Sequence, residues 1–288
     1  MSVHFSKRAL PIIVFFVVTW VATWFCAVAY ADQNVKDPLS QKNKYLVFGF
    51  LPMESPVSLF KRFAPLRDYL STQIEKEIRM ETAKDFPAFI KRTAERNYDI
   101  VFTAPHMALH ALDGKNYEVA ATFIKPLKSV VVVKEKSELQ NIESLEGKTI
   151  ATPPMQAIVT MVGMKYLSSK GIKTARFSTY RTHNAAYSAV LGGEVDAAII
   201  ANFIAMKAIS KNSPLKIVAS SDPFPGIGIL VAKDLPESLK EHIKKAIWGM
   251  KELPHGKKIL RLIAQPGYKK ANKNQFEMLR PYIKAALP

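Results

Sequence analysis

Between residues 147 and 201 short β-branched runs alternate with amphipathic helical ones, and that alternation limits the chain to parallel α/β architecture. Thr149–Thr152 reads as a strand, 157–170 as a helix closed by Gly171, and 175–180 as a strand. A helix over 184–191, ended by Gly192-Gly193, and a strand over 195–200 follow. After Thr152 and after Arg181 the chain turns from a strand toward a helix N-terminus, where unpaired backbone N–H groups can hold a small anionic or polar ligand. No nucleophile–base pair or metal cluster accompanies these turns, so the pattern points to gripping a ligand and not to transforming it.

The same rhythm fills the earlier half. Strands are expected at 45–51, 78–82, 98–103 and 117–123, with helices at about 57–77, 86–96 and 107–112. The first helix carries a stripe of Leu59, Phe60, Phe63, Leu66, Tyr69, Leu70 and Ile74. A second unit opens with a four-valine strand at 130–133. Residues 216–232, with the Pro/Gly-rich stretch 222–228, would return the chain to the first unit before three helices at about 237–251, 256–265 and 273–285. The expected fold is therefore α/β, a two-lobed clamshell. Each lobe is a mostly parallel sheet flanked by helices, with two hinge crossings and a cleft lined by strand-end loops. One lobe is expected from 45–125 plus 215–288, the other from 126–214.

The N-terminus bears on location. Lys7 and Arg8 precede an uncharged run from Ala9 to Ala31 that ends Ala29-Tyr30-Ala31, the pattern of a signal peptide cleaved after residue 31. The alternative is an uncleaved anchor, since the run is long enough to span a bilayer. Residues 32–44 read as a polar tether. Cleavage would remove Cys26, the sole cysteine, leaving no disulfide or thiol chemistry, as suits a periplasmic protein with a large core. Without Lys7 and Arg8 the 41 basic residues become 39 against 24 acidic ones, a net charge of +15. The lysines are dispersed, and with no nucleic-acid motif the balance reads as a solvated basic surface.

Five stretches together resemble the phosphate/phosphite/phosphonate-binding periplasmic proteins, the solute receptors of ABC transporters with a type II fold. They are Gly49-Phe-Leu-Pro52 with Leu66-Arg-Asp-Tyr-Leu70, then Asp99-Ile-Val-Phe-Thr-Ala-Pro105 and Leu145-Glu-Gly-Lys-Thr-Ile150. His183-Asn-Ala-Ala-Tyr-Ser-Ala-Val-Leu-Gly-Gly-Glu-Val-Asp196 and Ile217-Val-Ala-Ser-Ser-Asp-Pro-Phe-Pro-Gly226 complete the set. The resemblance implies a small-molecule ligand caught between lobes, an inner-membrane ABC permease as partner, no cofactor and no enzymatic activity. A sensory or accessory module serving a partner such as a histidine kinase is the alternative, and a monomer is expected.

The match departs at the ligand. Where the family has a Ser/Thr-rich loop, this chain has Pro153-Pro154-Met155-Gln156-Ala157-Ile158. Gln156 offers the only side-chain hydrogen-bonding group there, and the amides near Ala157 and Ile158 remain for an anion. His183 matches the family histidine and is the leading ligand contact, against a turn-packing role. Thr103 and Ala104 follow the third strand; Met53 and Glu54 follow the first, with Glu54 either binding a cationic group or solvated. Asn202 stands near the place where some members put an acid for an ammonium group, which argues against an aminoalkyl ligand. Met155, Ala157, Ile158 and Phe224 suggest an apolar cleft. His106 and His110 have zinc-compatible spacing without a third ligand, and His106 lies beside the cleft loop.

Overall fold

The computed structural model describes residues 44–286. The expected signal peptide, 1–31, and the tether up to residue 43 lie outside them. Two mixed sheets carry the fold. The first is built from β1 (Tyr45–Phe50), β2 (Glu77–Thr82), β3 (Ile100–Thr103), β4 (Tyr117–Phe123), β10 (Gly228–Ala232) and β11 (Tyr268–Lys269), in the order β11-β4-β10-β3-β1-β2. The second contains β5 (Ser129–Lys134), β6 (Thr149–Thr152), β7 (Arg176–Thr179), β8 (Ala197–Ala201) and β9 (Leu215–Ser220), in the order β7-β6-β8-β5-β9.

Four strands of each sheet point one way. In the first sheet β1, β2 and β3 are parallel, while β10 runs antiparallel between β3 and β4, so β4 keeps the common direction. In the second, β5 is the reversed strand between β8 and β9. Helices α1 (Pro56–Gln73), α2 (Phe86–Ala94) and α3 (Pro105–Asp113) connect the strands of the first unit. Helices α4 (Ile158–Ser169), α5 (His183–Gly192) and α6 (Asn202–Ser210) belong to the second, and α7 (Glu237–Gly249), α8 (Pro254–Leu262) and α9 (Arg280–Ala286) follow β10.

Local chemistry explains these elements. Ser55 caps α1 by accepting the Ser58 N–H at 3.3 Å, with Pro56 at the first turn where its missing donor costs nothing. The stripe residues Leu59, Phe63, Leu66, Tyr69 and Leu70 are all buried. In β5, Val130 and Val132 enter one apolar cluster while Val131 and Val133 enter another, so a continuous valine run is buried on both faces. Asp99 and Asp196 serve their strand starts: Asp99 Oδ2 accepts the Val47 N–H at 2.7 Å and Asp196 Oδ2 the Thr149 N–H at 2.8 Å. A Cβ on Gly49 would fall inside the Tyr98 ring, which fixes glycine at that point of β1.

Two differences from the sequence reading concern the second half. Helix α6, directly after β8, was not expected. The run from Leu215 to Ser220 was expected to rejoin the first unit but is the edge strand β9 of the second sheet, paired with β5 from Val130↔Ser220 to Lys134↔Leu215. The chain returns only after Ser221, through the proline-rich segment. The two crossings meet there, since Leu127 and Phe224 exchange both backbone hydrogen bonds at 2.9 Å. Above them one buried apolar cluster runs without a break from Phe50 and Phe102 to Ile158 and Ile200, so the cleft is closed. Lys165 of α4, its ammonium 5.5 Å from the Tyr282 ring of α9, adds a contact across it.

Candidate ligand-binding cleft

Parallel strands aim the N-termini of their following helices at one edge of the sheet. Here β3, β6 and β8 send α3, α4 and α6 toward a common point. The three N-cap residues are Ala104, Ala157 and Ala201, and none has a side chain that can accept a first-turn N–H. All three line a single cavity of about 40 Å³, a space for a few water molecules. His183, the first residue of α5, lines it too. Four helix N-termini therefore converge, and their partial positive charge favours an anion. The α5 terminus differs: Thr182 caps it by accepting the Ala185 N–H at 3.1 Å. The remaining walls are apolar, among them Leu51, Met53, Phe86, Ile158, Val159 and Phe203.

His183 is held for donation. Its Nδ1 accepts the Ala201 N–H at 3.4 Å, so the neutral ring carries its proton on Nε2. Burial lowers its pKa to about 4, and the ring is uncharged at neutral pH. It can donate one hydrogen bond but brings no charge. Helix α4, which presents Ala157, sits tightly on β5 and β8: Ser129 Oγ donates to the Val159 carbonyl at 2.7 Å, and a Cβ on Gly163 would collide with Ser129 and Ile199.

Of the residues expected at the ligand, Met53, Ala104, Ala157, Ile158 and His183 line this cavity. The others stand elsewhere. Thr103 is 1% exposed and lines a separate cavity of about 210 Å³ between α2 and α3, its hydroxyl without a partner. Glu54 is neither a free carboxylate nor solvated, because it is ion-paired with Arg62 and both side chains are largely buried. Met155 is 43% exposed and does not line this cavity. Gln156 contributes its backbone carbonyl, not its side chain: that oxygen accepts a hydrogen bond from His106 Nε2 at 3.0 Å. Asn202 staples the first crossing, accepting the Lys128 N–H at 3.2 Å and donating to the Pro126 carbonyl at 3.3 Å. Phe224 is buried in the hinge pairing, and Ile227 takes its place in the cleft wall.

The His106–Gln156 bond joins α3 of the first unit to the loop before α4 of the second. His106 is 1% exposed, burial lowers its pKa to about 4 against the raising effect of the Gln156 carbonyl, and its Nδ1 has no partner. It is a latch within the closed form. Among the described residues no three His, Cys, Asp or Glu side chains come together as metal ligands, and no helix is long and apolar enough to cross a membrane.

A family model described as the periplasmic substrate-binding protein of phosphonate ABC transporters matches residues 48–276. The chain belongs to that family. It is a family of solute receptors, periplasmic and serving ABC transporters, and not one of enzymes. Among solved structures the chain is similar to PhnD1 from Prochlorococcus marinus in complex with methylphosphonate, at 19% identity and a TM-score of 0.75 over 83% of this chain and 96% of that one. A binding protein component of a phosphonate ABC transporter from Pseudomonas aeruginosa matches at 16% identity and a TM-score of 0.69, over 83% and 87% of the two chains. A Xanthomonas citri protein bound to chloride matches at 14% identity and a TM-score of 0.66, over 84% and 98%. The fold is accordingly that of the type II periplasmic binding proteins, with two lobes.

Proposed function

We propose that the protein captures a small oxyanion, a phosphonate, phosphate or organic acid, between its two lobes and delivers it to an ABC permease. The convergence of three alanine-capped helix N-termini with the His183 Nε2–H donor carries this reading. First-turn amides with no side-chain acceptor of their own are donors waiting for an oxyanion. The walls contributed by Met53, Ile158 and Phe203 suit an apolar substituent on that anion. The methylphosphonate carried by the Prochlorococcus relative is one ligand of this kind.

The cavity has room for only a few waters, so a phosphonate enters only if the lobes part. The hinge is the paired crossing at Leu127 and Phe224, and opening breaks the His106–Gln156 bond. In this reading the lobes divide at the crossings, the protein works as a monomer, and residues 1–31 are removed on export to the periplasm. Retention of that segment would instead tether the same receptor to the membrane, as a sensory module requires.

The test is titration calorimetry of the purified protein with phosphate, methylphosphonate and a panel of small carboxylic acids. Saturable binding of at least one oxyanion, reduced in His183→Ala, supports the reading. Heats no larger than dilution for every member of the panel would refute it.

A further inference from the structure

Beside the cleft, and sharing Leu127 and Phe203 with it as walls, lies a second and larger basin of about 540 Å³. Four cations line it: Lys125 from the first crossing, Lys207 and Lys211 from α6, and Arg261 from α8. No carboxylate lines it among the described residues, and none of the four cations forms an ion pair there. Lys207 and Lys211 lie in or just past the last turn of α6, where cations complement the helix dipole. That accounts for two charges on one element. It does not explain why Lys125 and Arg261, from two other segments, face the same space.

Gathering like charges is unfavourable, and the basin shows the cost. Burial lowers the Lys207 pKa, and repulsion from Arg62 and Lys211 adds to it while Glu54 opposes it. Glu54 is already committed to Arg62. The floor between the charges is apolar, with Phe203, Met206 and Ala264, and Gln265 is buried there with its Oε1 unpartnered. An apolar floor ringed by unpaired cations fits the body and far end of an anion whose head sits next door.

We propose that the site takes a dianionic ligand: an oxyanion head at the four helix N-termini, a short apolar linker past Leu127 and Phe203, and a second anionic group, carboxylate or phosphate, in the basin. This rests on the reading of the cleft as an oxyanion site. It also gives the ligand a polarity opposite to that of an aminoalkylphosphonate, whose ammonium group would meet four cations.

Calorimetry with ethylphosphonate, phosphonoacetate and aminomethylphosphonate on the purified protein separates the cases, because the first two differ chiefly in the charge of the tail. At low salt phosphonoacetate should bind about tenfold more tightly than ethylphosphonate, and the preference should shrink as salt screens the basin. Aminomethylphosphonate should bind most weakly. In a Lys207→Gln, Arg261→Gln variant, the ethylphosphonate affinity should stay unchanged while the preference for phosphonoacetate collapses. Equal affinities for the two tails in the unmodified protein would overturn the basin proposal and leave the cleft reading standing. A preference that survives the double substitution would also overturn it. If none of the three binds, the basin proposal falls, and the cleft reading falls with it only if phosphate and the carboxylic acids fail to bind as well.

Discussion

Mild acid should loosen this receptor through two imidazoles, the buried His106 and the half-buried His183. Burial pulls both His106 and His183 down from 6.5 to about 4, in His106 against the opposing pull of the Gln156 carbonyl. An unfolded chain protonates these rings near 6.5, whereas the folded chain resists until about 4. Between those values the unfolded state holds more protons, so stability is fully present above about pH 6.5 and is lost as pH falls toward 4. Between about pH 7.5 and about pH 5 the linkage amounts to about 2 kcal/mol per ring, or about 4 kcal/mol for both. That is a large part of the 5–15 kcal/mol typical of a folded domain, roughly stated. Carboxylates act lower: Asp113, held near 2 by Arg280 and Lys273, is lost only as pH falls below its ordinary range. A His106→Gln variant isolates one ring, because its amide can still donate to the Gln156 carbonyl but does not titrate. Urea unfolding of both proteins at the two pH values is the assay. The variant's loss of stability on acidification should be smaller by about 2 kcal/mol. An equal loss in both proteins would show that His106 is not held neutral in the fold, and the latch argument would fail with it.

Three further outcomes follow from the geometry. His183→Ala should weaken binding of the best oxyanion by roughly tenfold, the worth of one hydrogen bond to a charged group, while cooperative unfolding persists; unchanged calorimetric affinity counts against the assignment. Ala157→Asp places a carboxylate at the α4 N-terminus, where it caps the helix and occupies the anion's place, so binding should be abolished without loss of helical circular dichroism. Gly163→Ala should cost about 1–3 kcal/mol in urea unfolding, because the added methyl must displace Ser129 or Ile199 from the packed face of α4; a neutral result would mean that this contact is loose.

The amino-acid sequence by itself determined the elements and their type. Hydrophobic period, cap residues and turn glycines are local, and they placed β4 and β6 at their ends and the other expected elements within a few residues, except that the helix expected over 273–285 is a 3-10 segment over Lys273–Leu279 and α-helical only from Arg280. They also supplied the two-unit plan, since a strand-helix alternation broken by a proline-rich return has few ways to pack. All ten candidate ligand residues came from the turns after strands, and five of them line the cleft, because the turns after parallel strands face the same edge.

Tertiary structure decided the rest. Glu54 and Thr103 also follow strands, but one side chain meets Arg62 and the other turns into the space between α2 and α3, outcomes set by neighbours distant in sequence. Gln156 acts through a backbone carbonyl, which no residue type announces. Helix α6 was missed, and with it Phe203 and the cations of the basin. Strand β9 went to the second sheet because β5 offered it an open edge. Pairing partners, the closure of the cleft and the meeting of Lys125, Lys207 and Arg261 are properties of packing between segments, and local pattern carries no record of them.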